Sequence, residues 1–192
     1  MLVLGIDTSL DACSVAIVRD GETLAHLHET MNKGQAERLA PMVREVAQQA
    51  GIAFTDIDRV VVTTGPGSFT GVRVGLSFAR TLALSLGKPC LGVSTLEALA
   101  LEGGEEGSRA ALIETPGASY FACYENGAAD IAPRPIERGA HEALLGDAKL
   151  RGPGVTVNAV ALATRAARLD PQLYPPNPTY LRAPHVSLPA GS

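Results

Sequence analysis

The run Gly65-Pro-Gly-Ser-Phe-Thr-Gly-Val-Arg-Val-Gly75 constrains this chain more than any other segment. Just before it, residues 60–64 read Val-Val-Val-Thr-Thr, a β-branched stretch with no polar periodicity, which predicts an interior strand. Just after it, Gly71, Gly75, Ala79 and Ala83 recur every fourth residue, and Gly87 supplies a stop. This spacing predicts a helix over residues 70–86, capped by Ser68 or Thr70, with one smooth side on which another backbone can approach closely. Val72 and Leu76 flank that stripe, whereas Val74, Phe78 and Leu82 lie on another side, so the helix must be covered on more than one face. Two readings are open. The helix is a core element under a sheet, or it also offers an apolar face to another protein.

The elements around this unit place it in an α/β fold. Residues 2–6 are an apolar run meeting Asp7, and Thr8 to Asp11 supplies turn chemistry. Residues 13–18 and 22–29 are β-rich and joined by Asp20-Gly21, a hairpin signal, so the chain opens with a three-stranded meander. Leu39, Val43, Val46 and Ala50 predict a helix over 35–50, stopped at Gly51. Residues 90–93 read as a further strand, followed by a helix from Ser94 with Glu97 at capping-box spacing. Strand, helix, strand with right-handed crossovers then extends the meander in parallel. At residues 103–108 the composition becomes glycine-rich and charged, which sets a lobe boundary: 1–102, then a smaller lobe over 103–192. In the second part, 110–113 and 120–124 read as strands, 157–169 as an Ala-rich helix, and 171–189 as an extended Pro-rich tail.

Chemistry is harder to find. The glycine-rich loop sits where backbone N–H groups bind anions, but it lacks the lysine of a P-loop and the spacing of a dinucleotide fingerprint. On composition alone, a tight strand-to-helix turn needing positive φ at glycine accounts for it better. Asp7, Thr8 and Ser9, at the tip of the first strand, are of the right type to orient a metal-bound phosphate, although a lone Asp there is also ordinary turn chemistry. Ser68 and Ser94 have no acid-base partner in the sequence, and His26, His28, His141 and His185 form no ligand pattern beyond the first pair. Cys13, Cys90 and Cys123 are an odd, widely spaced set, which points to buried thiols in a reducing compartment. The reading is therefore of no catalytic residues, no metal and no cofactor. A formal charge of -4 disfavours solitary nucleic-acid binding. No signal peptide or membrane span is read, and a cytoplasmic location is expected.

Taken together, Ile6-Asp-Thr-Ser9, Cys13-Ser-Val-Ala16, Glu37-Arg-Leu39 with Pro41-Met42, the Gly65 to Gly75 run and Gly92-Val-Ser-Thr-Leu96 resemble the TsaB (YeaZ) family. Pro178-Thr-Tyr-Leu-Arg182 resembles that family's C-terminal motif, whereas residues 114–119 depart from its pattern, and Gln35 stands where many relatives carry His. The resemblance implies an actin-like ATPase (ASKHA, ribonuclease H-like) fold with two mixed-sheet lobes, the second reduced. It implies a non-catalytic subunit needed for threonylcarbamoylation of adenosine 37 in tRNAs reading ANN codons. The implied partners are a TsaD-like catalytic subunit, in a heterodimer, and a TsaE-like ATPase in the larger assembly, with tRNA met only through the complex. A homodimer through the same helices is the alternative assembly, and a degenerate actin-fold phosphotransferase or glycoprotease-like hydrolase the alternative function. On this reading the partner-binding helix faces carry Leu39, Val43, Gly71, Gly75, Ala79 and Ala83. Asp7, Thr8, Ser9, Gly65 and Gly67 are then remnants of a nucleotide loop.

Overall fold

The computed structural model describes residues 1–181, so the end of the Pro-rich tail, including Arg182 and His185, lies outside the described residues. The predicted meander forms: β1 (Leu2–Asp7) pairs antiparallel with β2 (Ala12–Arg19), which pairs antiparallel with β3 (Glu22–Thr30). β4 (Arg59–Thr63) then joins β1 in parallel, and β5 (Cys90–Val93) joins β4 in parallel, giving the order β3-β2-β1-β4-β5. The helices α1 (Gln35–Ala50) and α2 (Phe69–Leu86) supply the two crossovers. They cover one face of this sheet, burying Leu39, Met42, Val43 and Val46 of α1 and Val72, Leu76 and Ala79 of α2 against Leu4, Ile6, Val15, Ile17, Val60 and Val62. Each fully buried aliphatic side chain of this kind stabilises the fold by about 1.5–3 kcal/mol.

The second sheet repeats the first on a smaller scale. β6 (Ser108–Thr115), β7 (Ala118–Glu125) and β8 (Ala128–Ile136) form an antiparallel meander, and β9 (Lys149–Arg151) joins β6 in parallel, giving β8-β7-β6-β9. Two such sheets, each a meander with a parallel extension, make the actin-like, ribonuclease H-like fold. The strand β8 was not predicted because Pro133 and Pro135 interrupt its pattern; as an edge strand it tolerates them. α4 (His141–Leu145) and β9 are too short to show a period.

Between the sheets lie α3 (Thr95–Ala100) and α5 (Ala159–Ala166). A single core joins Val3, Val18, Val61 and Leu91 of the first sheet to Ala111, Ile113, Ala122 and Tyr124 of the second through Leu96, Leu99, Leu162 and Ala163. The chain crosses over here. α3 packs on β6 and β7, whereas α5, from the far end of the sequence, packs on β1 and β2. Gly5 makes that possible, since a Cβ there would stand 2.6 Å from the Ala159 carbonyl oxygen. The predicted helix over 157–169 is shorter than expected because Asn158 caps it, its side chain accepting from the Val160 N–H at 2.9 Å. At Ser94 the expected side-chain cap of α3 is absent, and its hydroxyl has no partner among the described residues.

Candidate functional site

Two places combine the residues singled out in the sequence: the paired loops at the tips of β1 and β4, and α2. At the loops, the Asp7 side chain is completely buried. Its Oδ1 accepts from the Ser9 hydroxyl at 2.6 Å, the Thr63 hydroxyl at 2.6 Å and the Ser9 N–H at 3.2 Å. Its Oδ2 is buried with no partner among the described residues. Burial dominates, and it pushes the Asp7 carboxyl above the ordinary aspartate range.

The glycine loop closes over this carboxylate. Ser68 donates its N–H to the Ser9 carbonyl at 2.7 Å, and the Thr8 hydroxyl donates to the Gly71 carbonyl at 2.7 Å. A Cβ on Gly67 would lie 2.1 Å from the Ser9 oxygen, and one on Gly71 2.0 Å from the Thr8 oxygen. The glycines therefore admit the neighbouring loop's backbone, leaving no gap between the loops for a phosphate. Gly65, at φ 95, turns the chain so that its carbonyl accepts from the Thr95 N–H at 2.9 Å. Asp7, Thr8, Ser9, Gly65 and Gly67 are the residues read in the sequence as remnants of a nucleotide loop. They are brought together, but as a sealed joint.

Beside the joint is a cleft of about 450 Å³ between the two sheets, lined among others by Asp11, Ser68, Glu114, Thr115 and Thr156. Its lining holds two carboxylates, Asp11 and Glu114, and neither lysine nor arginine; Glu114 pairs with Arg138 at 3.9 Å, and a polyphosphate in the cleft would still face the Asp11 charge. Among the described residues no three His, Cys, Asp or Glu side chains converge as metal ligands. The His26 and His28 rings meet edge to face with centroids 6.2 Å apart, and their Nε2 atoms turn to different partners: that of His26 is 3.2 Å from the Ser14 hydroxyl, and that of His28 is 3.3 Å from the Thr156 hydroxyl. Burial pushes the Cys13 thiol up to about 12 and the Cys90 thiol up to about 11, which keeps both protonated.

α2 answers the question its small residues left open. Gly71, Gly75, Ala79 and Ala83 are all buried, as are Leu39 and Val43 of α1. A Cβ on Gly75 would come within 2.6 Å of the Thr8 hydroxyl. The smooth stripe thus faces Thr8 and the sheet, and none of these six residues is available to another protein. Instead, the outward side of α2 carries Phe69, Arg73, Ser77, Arg80, Thr81 and Leu84. The Arg73 guanidinium lies 3.7 Å over the Phe69 ring and donates to the Tyr180 hydroxyl at 3.2 Å. This side was missed in the sequence, although one signal was present: residues 69–86 contain Arg73 and Arg80 but no acidic residue.

The family model for TsaD, tRNA N6-adenosine threonylcarbamoyltransferase, matches residues 28–158. The tRNA threonylcarbamoyladenosine biosynthesis protein TsaB of Escherichia coli (strain K12) is 44% identical over 100 residues, covering 52% of this chain and 43% of that protein. The chain belongs to this family, in its TsaB/YeaZ branch. The TsaB of Bacillus subtilis (strain 168) is 39% identical over 103 residues, 54% of this chain and 45% of that relative. The matches to these curated family members thus span about half of this chain and under half of each relative. A solved structure, YeaZ from Pseudomonas aeruginosa, superposes with a TM-score of 0.75 at 27% identity, covering 94% of this chain and 99% of that one.

Proposed function

We propose that the protein is a non-catalytic partner subunit in threonylcarbamoylation of adenosine 37 of tRNAs reading ANN codons, acting as a heterodimer with a TsaD-like catalytic subunit. The observation that carries the non-catalytic reading is the sealed joint: Asp7 is fully buried under the glycine loop, and the adjoining cleft has no cationic side chain. The interaction role rests on the outward side of α2, which stays exposed beside the α1–α2 pair. In this reading residues 1–102 form the lobe that meets the catalytic subunit, and 103–192 form the reduced lobe. A TsaE-like ATPase joins the larger assembly, tRNA is met only there, and the complex works in the cytoplasm. Among the described residues no helix is long and apolar enough to cross a membrane.

The test is to mix the purified chain with the cognate TsaD-like subunit and measure mass in solution. A one-to-one species supports the reading, and its absence with or without nucleotide overturns it. ATP turnover by the chain alone, abolished by Asp7→Ala, would instead favour the degenerate actin-fold enzyme.

A further inference from the structure

We propose that His26, Ser14 and the first amide of α5 form a proton-sensitive fastener between the first sheet and α5, closed while His26 is neutral and released when it takes up a proton. Every contact lies within the chain, so the device is independent of the partner-subunit reading. Its first part is the start of α5. The first amides of a helix have no partner inside the helix. Here the Val160 N–H goes to the Asn158 side chain, and the Ala159 N–H crosses to β2, donating to the Ser14 hydroxyl at 3.3 Å. Ser14 and Ala159 are both completely buried, so water does not replace that bond.

The hydrogen of Ser14 follows from this. A backbone amide only donates, so the Ser14 oxygen accepts from Ala159 and is free to give its own hydrogen to the His26 Nε2, 3.2 Å away. That direction requires an Nε2 without a hydrogen. A proton taken up at Nε2 points at the Ser14 hydrogen, forces the hydroxyl to turn and sets a positive charge beside the positive end of α5. A second contact, between the His28 Nε2 and the Thr156 hydroxyl at 3.3 Å, ties the same edge strand to the approach of α5.

The charges around His26 favour its neutral form. His28 is on the same strand, and Asp7 is opposite Ser14 in the β1–β2 register. Cys13 of β2 is opposite Glu29 of β3, and Glu29 is held by Arg38 of α1, which also holds Glu45. Residues 155–164, leading into and along α5, contain no titratable side chain. Burial, followed by the charge of His28, holds the His26 ring below its ordinary value of 6.5. The folded ring therefore binds its proton less tightly than the unfolded one. The fastening is complete above pH 6.5 and is lost as pH falls through the lower folded value. Asp7, whose carboxyl is pushed up, shifts stability in the opposite direction and does not mimic this loss.

The experiment follows amide hydrogen exchange of the full chain at pH 7.5 and 5.5, corrected for intrinsic rates, with the His26 ring nitrogens observed by NMR. The expected result is protection over residues 159–166 that falls by up to about tenfold at the lower pH, while α2 keeps its protection. His26→Gln, which does not titrate, should remove the pH dependence. Ser14→Ala should start with weak protection at pH 7.5 and lose little more. Equal α5 protection at both pH values, an equal loss in α2, or a pH dependence that survives in His26→Gln overturns the proposal. Should either variant fail to fold, the wild-type ring decides: an Nε2 without hydrogen at pH 7.5 supports the fastener, and a hydrogen there overturns it.

Discussion

The two sides of α2 have opposite compositions and opposite surroundings. Inward, Gly71, Gly75, Ala79 and Ala83 form a surface so low that the Thr8–Ser9 backbone lies directly on the helix. Outward, Phe69, Arg73, Arg80 and Leu84 are large and exposed. The contrast teaches that a small-residue stripe marks where something approaches closely, and says nothing about whether that something is another molecule. Here it is a loop more than 60 residues earlier in the same chain.

The contrast breaks most sharply on the inner side. Gly71→Ala is expected to cost about 3–5 kcal/mol in urea unfolding, because the new methyl meets a carbonyl oxygen of the backbone rather than a movable side chain. A stable Gly71→Ala variant would place the joint elsewhere. Next in size is Glu97→Ala. Glu97 and Arg165 are 13% and 11% exposed and bonded at 2.8 Å, with Tyr174 on the same carboxylate. Losing one partner should cost about 3 kcal/mol and detach the strap at residues 174–181 from β5, read as faster proteolysis within residues 171–181. An unchanged digestion pattern would show that the strap does not depend on this hub.

Asp7→Asn probes the sealed joint through pH. The folded carboxyl holds its proton more tightly than the unfolded one, so stability falls as pH rises above the ordinary value of 3.8, until the folded group also ionises. The asparagine variant lacks this loss. Its stability relative to the wild type should therefore increase with pH across that window and be least favourable below pH 3.8. A difference independent of pH would mean that Asp7 does not titrate in the fold. Smallest of all, Leu84→Glu on the outer side should change stability by less than about 0.5 kcal/mol, measured by the same unfolding curve. A large loss there would erase the distinction between the two sides.

Much of the first sheet is legible in the sequence because its signals are local: Asp20-Gly21 for the hairpin, the β-branched run before Gly65 for an interior strand, Gly87 for the end of α2. The second sheet is less so, since Pro133 and Pro135 mask an edge strand whose pairing is set by β7. The candidate site depends on tertiary closure. Helical periodicity separates the sides of α2 without saying which is inside, and a carboxylate at a strand tip looks the same whether open or buried. Asp7 is sealed only because Ser68 bonds Ser9 across the two loops, a fact belonging to neither segment alone. Arg73 and Arg80 were visible throughout; what gave them meaning was the arrival of Tyr180 from the tail.

The position of α5 carries a consequence for how the chain can be divided. Ala159 and Ala163 rest on Gly5 of the first strand, and Leu162 closes the core beneath Val3, Val18 and Val61. A polypeptide ended at residue 102 would leave that whole side of the first sheet wet. The front half is thus a roof and wall without a floor, and α5 is the floor: synthesis must pass residue 166 before the first strands are fully housed.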